Sequence, residues 1–234
     1  MTEPDFLEDG RILFAGPCDF IFASVKASDL PPLGPPEIAF AGRSNVGKSS
    51  LLNALTNRKT LARVSHTPGR TQQLNFFALG AKAFSSEVEA GSREENASKS
   101  VPARLRLVDM PGYGYAAVGK EKVASWGVLM RDYLRGRAAL LRVFVLVDGR
   151  RGVKPVDEEM FDLLDQSAVS YQVILTKHDE LKASEREVVA AATLQALAKR
   201  PAAYPEIIFT SSHTGEGIPA LRGAVAKLLA ERGA

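Results

Sequence analysis

The sequence of 234 residues contains one cysteine, Cys18, and three histidines. One thiol cannot form an internal disulfide, and it cannot build a cysteine-rich zinc site. His66, His178 and His213 lie far apart and do not show the spacing of metal ligands. We therefore interpret Cys18 as a small buried apolar side chain and the histidines as solvated or locally bonded imidazoles.

The sequence also lacks a secretory signal and long apolar runs. Residues 1–10 contain the acids Glu3, Asp5, Glu8 and Asp9, whereas a signal peptide begins with basic and then apolar residues. No apolar run is long enough to cross a bilayer. These absences predict a cytoplasmic protein without a membrane partner.

Charge of one sign is not in large excess. The chain has 30 basic and 27 acidic residues, a formal net charge of +3, a pI near 9.0 and no run of five like charges. This balance favours a polyanionic partner such as RNA only slightly over an ordinary mixed surface. Hydrophobic residues make up 45% of the chain, which is enough for the core of one large soluble domain.

A proline-rich segment, PPLGPP at residues 31–36, divides the chain into two parts. We predict an N-terminal extension over residues 1–35, which packs on the rest as an edge strand or a cap, and a large domain over residues 36–234. Within this domain, residues 82–103 are rich in Ser, Glu and Ala, which predicts a flexible surface insert.

Strand and helix patterns alternate through the large domain. Apolar and alternating runs predict strands at about 38–41, 73–79, 104–109, 141–147, 171–176 and 206–210. Helices are predicted from Lys48, over about 122–134, from Pro155, over about 184–198 and from Pro219. The strands on either side of the insert form a hairpin. This alternation indicates an α/β fold with a mostly parallel sheet covered by helices on both faces.

A glycine-rich motif of the kind that binds phosphates follows the first strand of this domain. Residues 42–49 read GRSNVGKS, which fits G-x-x-x-x-G-K-S between a strand and a helix. Glycines let backbone N–H groups turn towards phosphate oxygens, and the helix N-terminus adds partial positive charge. We expect Lys48 to reach the β- and γ-phosphates and the Ser49 hydroxyl to ligate Mg²⁺. The predicted phosphate-binding residues are Gly42, Arg43, Ser44, Asn45, Val46, Gly47, Lys48, Ser49 and Ser50.

A turn at the end of the strand YQVILT predicts which base is bound. Its carboxylate, Asp179, can accept hydrogen bonds from both N1–H and the N2 amine of guanine, a donor pair that adenine lacks. The residues of this turn are Thr176, Lys177, His178 and Asp179. A later strand end supplies backbone N–H groups for guanine O6, at Thr210, Ser211 and Ser212.

Two further segments predict the switch regions that respond to the γ-phosphate. The D-x-x-G pattern Asp109, Met110, Pro111 and Gly112 ends a strand. Asp109 would hold a Mg²⁺-bound water, and the Gly112 N–H would sense the γ-phosphate. In the polar segment TPGRT, residues 67–71, we choose Thr71 as the switch threonine that ligates Mg²⁺ in the GTP state; a plain surface loop is the alternative. The candidate contacts here are Gly69, Arg70, Thr71, Gln72 and Gln73.

These motifs together resemble the EngB (YihA) family of Era-like bacterial GTPases. The resemblance is carried by EIAFAGRSNVGKSSLLNAL, TPGRTQQLNFF, LVDMPGYGYA, LTKHDEL and the late SS, and it extends from about Cys18 to the C-terminus. It implies a P-loop NTPase three-layer sandwich of small-GTPase type, with one antiparallel strand, that hydrolyses GTP to GDP as a monomer. It also implies a role with the large ribosomal subunit or its rRNA and protein precursor, and a link to cell division and septation. The insert departs from the compact family pattern.

The residue that would activate water is not evident. Tyr113 follows Gly112, where many small GTPases have a water-orienting glutamine, so we expect slow intrinsic hydrolysis. Arg43 and Arg70 lie in loops suited to an arginine finger, but solvated or phosphate-screening charges are the favoured interpretation. Related Era-like GTPases hold K⁺ with an asparagine, which suggests a K⁺ ligand at Asn45; bracing of the loop is the alternative. The predicted catalytic residues are Lys48, Thr71, Gly112 and Asn45.

Two other functions stay open on the sequence alone. One is an ATP-dependent P-loop enzyme such as a kinase, against which the turn at 176–179 argues. The other is a septum-associated scaffold that binds nucleotide without turnover. Against the scaffold, hydrolysis has a working metal site, which a scaffold would not require, in Lys48, Ser49, Thr71 and Asp109.

Overall fold

The computed structural model describes residues 5–61, 73–80, 103–114 and 120–233, and for residues 120–126 it describes the backbone only. The predicted insert at 82–103 lies outside the described residues except for Ala103. The predicted switch segment at 67–71 and Gln72 lie outside them as well.

Seven strands and six α-helices make up the described part of the chain. The strands are β1 (Cys18–Ser24), β2 (Glu37–Gly42), β3 (Leu74–Leu79), β4 (Leu105–Asp109), β5 (Leu140–Asp148), β6 (Tyr171–Thr176) and β7 (Ile208–Phe209). The helices are α1 (Phe6–Ala15), α2 (Lys48–Leu55), α3 (Lys120–Gly136), α4 (Pro155–Gln166), α5 (Ala183–Leu197) and α6 (Ile218–Glu231). Short 3-10 turns occur at Ala27–Asp29 and His178–Glu180.

All the described strands belong to one sheet, in the order β1-β3-β4-β2-β5-β6-β7. β3 is antiparallel to both of its neighbours, β1 and β4. The other neighbouring pairs are parallel. Among the described strands β3 alone runs against the rest, so the predicted mostly parallel sheet and the β3–β4 hairpin are confirmed.

Helices cover both faces of this sheet. The central strand β2 is buried at every residue. Ile38 and Phe40 pack with side chains of α1, α2 and α6, whereas Ala39 and Ala41 pack with side chains of α3, α4 and α5. A central parallel strand meets a helical layer on each side, which explains the continuous apolar run EIAFAG after its first residue. The fold is the predicted three-layer sandwich, and none of its described helices is long and apolar enough to cross a membrane.

The N-terminal extension adds a strand to the edge of the sheet. In the β1–β3 ladder Cys18 pairs with Leu79, and Ser24 pairs with Leu74. Cys18 is buried, as expected from the sequence. The extension also forms α1, which the sequence analysis did not predict. A Cβ at Gly10 of this helix would lie 2.6 Å from Gly223 N of α6, so the two helices pack closely. The division of domains at residue 35 stays a prediction.

A buried ion cluster attaches the proline-rich segment to the sheet. The carboxylate of Glu37 is fully buried, and Arg137 Nη2 lies 2.5 Å from its Oε1. Arg137 Nη1 donates to Pro31 O at 2.7 Å, and Arg106 Nη1 donates to Pro32 O at the same distance. These bonds fix the start of β2 and therefore the strand that leads into the glycine-rich loop.

The last strand is shorter than predicted. Of the expected residues 206–210, only Ile208 and Phe209 pair with β6. On either side of β7, Tyr204 N donates to Tyr171 O at 2.7 Å and Thr210 N donates to Leu175 O at 2.8 Å.

Candidate nucleotide-binding site

The loop between β2 and α2 has a conformation that depends on its glycines. A Cβ at Gly42 would lie 2.8 Å from Val46 Cγ1 and 3.1 Å from Leu146 Cβ, so the strand end leaves no room for a side chain. Asn45 has φ 64° and Gly47 has φ 103°, both in the left-handed region. A Cβ at Gly47 would meet nothing within 4 Å, because the loop borders open space at this point.

Residues outside the loop hold it mainly through its carbonyl oxygens. Thr176 Oγ1 donates to Val46 O at 2.8 Å, and Lys177 Nζ donates to Asn45 O at 3.2 Å. Tyr113 N donates to Gly42 O at 3.2 Å. The first N–H groups of α2 have no carbonyl within the helix, and its cap residue Gly47 has no side chain to cover them. These N–H groups are therefore available to an anion.

Lys48 lies at the first position of α2 and forms an ion pair with Asp109 at the end of β4. Only 12% of the Lys48 side chain and 11% of the Asp109 side chain are exposed. Lys48 belongs to the phosphate motif, and Asp109, 61 positions further along the chain, belongs to the D-x-x-G motif. The ion pair thus brings the D-x-x-G motif next to the glycine-rich loop.

The D-x-x-G segment passes close to the loop. Met110 N donates to Phe40 O at 3.0 Å, and Ser44 N donates to Tyr113 O at 3.3 Å. A Cβ at Gly112 would lie 3.1 Å from Ser44 Oγ and 3.3 Å from Ser44 N. Glycine at position 112 therefore lets the D-x-x-G segment lie closer to Ser44 of the loop than a larger residue would.

The turn after β6 presents an ionised carboxylate. Lys177 takes the left-handed conformation at φ 59°, and His178 N donates to Thr210 O at 3.1 Å. Asp179 is exposed, and a hydrogen bond from the Ser211 hydroxyl lowers its pKa. Ser211 Oγ also accepts hydrogen bonds from the backbone beyond it, at His213 and Thr214. The two predicted guanine-contacting segments are therefore joined, with Asp179 available as an acceptor.

Three carboxylates support the site but were not among the predicted residues. Asp148, at the end of β5, accepts a hydrogen bond from Lys177 Nζ at 2.9 Å. Burial alone would raise the pKa of Asp148, but hydrogen bonds from Arg150 and Lys177 lower it well below its ordinary value. Glu216 Oε1 lies 2.9 Å from Nε2 of the buried His178, so this imidazole is locally bonded. For Asp148, the position at a strand end was the one signal in the sequence that it would lie near Lys177 at the site.

The third carboxylate, Asp157 of α4, meets two residues for which the sequence suggested other roles. The Tyr113 hydroxyl donates to Asp157 Oδ1 at 2.9 Å, and Arg43 Nε lies 3.2 Å from the same oxygen. Burial, followed by the nearby Asp157 carboxylate, raises the pKa of Tyr113 well above its ordinary value, so the phenol keeps its proton. Arg43 is therefore paired with a carboxylate rather than solvated, and Tyr113 is directed to α4.

The remaining predicted residues are placed as follows. Gln73 Nε2 donates to Asn75 Oδ1 at 2.9 Å at the start of β3. Ser212 is exposed beside Ser211. Gly69, Arg70, Thr71 and Gln72 lie outside the described residues, and their roles stay predictions.

The donors at the site suit Mg²⁺. Ser49 follows Lys48 in the first turn of α2, and the Asp109 carboxylate pairs with the Lys48 ammonium. A hydroxyl and a carboxylate are hard oxygen donors, which Mg²⁺ prefers. In the described ranges no three His, Cys, Asp or Glu side chains form a cluster that could hold a metal.

Comparison with known proteins assigns this site to a family. Residues 37–177 match the family described as "50S ribosome-binding GTPase". A "Probable GTP-binding protein EngB" of Rhodopseudomonas palustris (strain TIE-1) is 55% identical over 230 residues, covering 98% of this chain and 97% of the relative. The relative with the same description from Nitrobacter hamburgensis is 51% identical over 230 residues, with the same coverage of both chains. The chain belongs to the EngB family of GTP-binding proteins.

Membership in the EngB family makes the chain a P-loop GTPase, and it removes the ATP-dependent enzyme and the scaffold without turnover as alternatives. Solved structures support the fold. A probable GTP-binding protein EngB aligns with a TM-score of 0.56 at 23% identity, covering 83% of this chain and 99% of its own. Era in complex with MgGDPNP and a segment of 16S ribosomal RNA aligns with a TM-score of 0.58 at 20% identity, covering 84% of this chain and 57% of its own.

The brace on the glycine-rich loop can be tested with Thr176→Val. This change leaves the buried Val46 carbonyl without its donor, which costs about 1–3 kcal/mol. Because the loop must then be ordered when nucleotide binds, we expect the Kd for GDP to rise about tenfold. The measurement is fluorescence titration with a labelled GDP, together with urea unfolding.

Thr193→Val is the matched control. Thr193 is also buried, and its Oγ1 donates to Val189 O at 2.7 Å within α5, where that carbonyl keeps a helical partner. We expect unchanged GDP affinity in this variant. Equal GDP affinity in Thr176→Val and the parent would show that the loop does not need the brace.

Proposed function

We propose that this EngB-family GTPase is a Mg²⁺-dependent molecular switch that acts in assembly of the large ribosomal subunit. The main support is the position of the β2–α2 loop, whose carbonyls are held by Thr176, Lys177 and Tyr113 while the N–H groups at the start of α2 stay available. One loop is thereby connected to the predicted guanine-contacting turn and to the predicted switch segment. A switch that reads both base and γ-phosphate needs this connection.

We assign the phosphates to the loop and the base to the turn after β6. Backbone N–H groups within residues 42–50, chiefly those at the start of α2, would bind the phosphate oxygens, with Lys48 at the β- and γ-phosphates. Asp179 would accept the guanine N1–H and N2 amine, and the segment at 210–212 would donate to O6. Gly112 would donate its N–H to the γ-phosphate, which makes the D-x-x-G segment sensitive to hydrolysis.

Ser49, Asp109 and Thr71 are the proposed Mg²⁺ residues. Ser49 and Thr71 would ligate the ion directly, and Asp109 would hold it through a bound water. When bound, Mg²⁺ would neutralise charge on the phosphates. Lys48 would exchange its Asp109 partner for phosphate oxygens, which releases the carboxylate for the metal's hydration shell.

The proposed ribosomal partner rests on the family and on weak electrostatics. The matching family is described as ribosome-binding, and this chain has a net charge of +3. A slightly basic surface favours association with rRNA. We propose that the GTPase acts in the cytoplasm as a monomer and that its link to division and septation follows from ribosome assembly.

Cosedimentation with large ribosomal subunits tests the partner. We expect binding to be strongest with a non-hydrolysable GTP analogue, weaker with GDP and weakest without nucleotide, because the γ-phosphate orders the switch. The Asp179→Asn variant provides an internal control, since it should respond to the xanthosine analogue instead. Equal pelleting under all three conditions, or none above a protein-only control, would contradict this role.

Base recognition is tested by the same Asp179→Asn substitution. The amide presents a donor where the carboxylate presents an acceptor, so preference should move from guanosine to xanthosine nucleotides, with GDP affinity falling at least about 100-fold. Competition titration with GDP and XDP measures the change. Glu180→Gln, at the next exposed position, should keep the preference of the parent. A GDP affinity unchanged in Asp179→Asn would remove Asp179 from the base site.

A K⁺ ion at Asn45 is the proposed substitute for an arginine finger, since Arg43 is paired with Asp157. We expect GTP turnover to be faster in KCl than in matched NaCl, because the cation neutralises charge between the β- and γ-phosphates. Asn45→Gly should lose this difference, and glycine adopts the left-handed backbone of this position without strain.

Asn57→Gly is the control for the K⁺ experiment, because Asn57 has a similar φ of 54° at the end of α2. It should retain the K⁺ response. Equal turnover in KCl and NaCl for the parent, measured by phosphate release with and without large subunits, would exclude the ion.

A further inference from the structure

Three distant segments of the chain meet at the carboxylate of Asp157. This side chain is 0% exposed and lies in the first turn of α4. Its Oδ1 accepts the Tyr113 hydroxyl at 2.9 Å and lies 3.2 Å from Arg43 Nε. Its Oδ2 accepts the Lys154 N–H at 2.9 Å. Both oxygens are therefore engaged, which a fully buried carboxylate requires.

The two partners of Asp157 depend on it unequally. The Tyr113 hydroxyl has a well-formed hydrogen bond to it. Arg43 is held by charge rather than by bond geometry, because its buried Nε and Nη2 make no hydrogen bond to the described residues. Removal of the carboxylate would leave a mostly buried guanidinium without a counter-charge, which is unfavourable.

Tyr113 connects this carboxylate to the segment proposed to sense the γ-phosphate. Its N–H donates to Gly42 O at 3.2 Å, and its carbonyl accepts from Ser44 N at 3.3 Å. The preceding residue, Gly112, lies against Ser44. Tyr113 is therefore bonded to the glycine-rich loop through its backbone and to α4 through its side chain. The bond to α4 limits where the neighbouring Gly112 can lie.

We propose that Asp157 is a positioning residue for GTP hydrolysis. From α4 it holds Tyr113 and Arg43, and it thereby fixes the Gly112 N–H where the γ-phosphate arrives, without contacting the nucleotide itself. This inference rests on the proposed role of Gly112. Because linkage is reciprocal, a partner that displaces the first turn of α4 changes the affinity for GTP more than the affinity for GDP.

The test compares affinities for GDP and for a non-hydrolysable GTP analogue in Asp157→Asn and Tyr113→Phe. GDP lacks the γ-phosphate, so its Kd should stay within about twofold of the parent, whereas the Kd for the analogue and kcat should each worsen about tenfold. Tyr113→Phe removes only the hydroxyl and keeps the Arg43–Asp157 pair, so it remains informative if Asp157→Asn is unstable. An amide oxygen at position 157 can still accept the Tyr113 hydroxyl, so Asp157→Asn removes mainly the counter-charge of Arg43 and Tyr113→Phe removes the hydrogen bond.

Asp162→Asn is the control on the same helix. Asp162 is exposed and pairs with Arg200, away from the loop, so the ratio of the two affinities should not change. A purely structural role for Asp157 would weaken GDP and the analogue equally, and an unchanged ratio in both Asp157→Asn and Tyr113→Phe overturns the proposal.

The Gly112→Ala variant distinguishes the role of Asp157 from the proposed role of Gly112, on which it rests. If Gly112→Ala selectively weakens the analogue while the Asp157 and Tyr113 variants do not, only the role of Asp157 is overturned. If Gly112→Ala leaves the ratio unchanged, Gly112 does not read the γ-phosphate, and the proposed sensor and this inference are both overturned.

Discussion

The site depends on keeping one turn rigid while the backbone N–H groups at the start of α2 stay unused by the protein. N–H groups that are kept free for phosphate cannot also stabilise the turn, whereas Ser44 N and Val46 N do so by donating to Tyr113 O and Arg43 O. This chain meets that constraint through the loop's acceptors: Thr176, Lys177 and Tyr113 donate to three of its carbonyls. Because these donors come from the ends of β6 and β4, the rest of the fold serves to bring those strand ends together.

Electrostatics around the loop follow a related pattern. Lys48 pairs with Asp109, Lys177 with Asp148 and Arg43 with Asp157, so each of these cations has a carboxylate of its own. Pairing of this kind lowers the cost of holding charges in a largely buried place. The attraction for phosphate then comes from oriented N–H groups and from Lys48, which would exchange one anion for another. The Arg43–Asp157 pair further joins the loop to α4 and makes that helix part of the nucleotide site.

Much of the fold and of the site could be predicted because local signals carried them. The buried run of β2, the glycines of the loop and the strand-end position of the turn at 176–179 each reflect a constraint that acts within a few residues. The predicted ranges of β3, β4, β5 and β6 differ from the observed ones by at most one residue at each end.

Contacts between distant segments could not be predicted in the same way. Asp157 stands in no motif of the sequence, whereas in the structure it contacts Arg43 and Tyr113 from across the fold. Glu216 was missed for the same reason, since its partner His178 is remote in sequence. β7 is shorter than the apolar run predicted, since only Ile208 and Phe209 pair with β6.

Crystal structures of this chain with and without GDP test the central claim most directly. A loop held from outside should be preformed, so the Cα positions of residues 42–47 should agree within about 1 Å and the Thr176–Val46 bond should be present in both. Lys48 should leave Asp109 for the phosphate oxygens in the GDP complex. A loop that refolds on binding, or N–H groups at the start of α2 that are bonded to other protein atoms in the absence of GDP, would contradict the account.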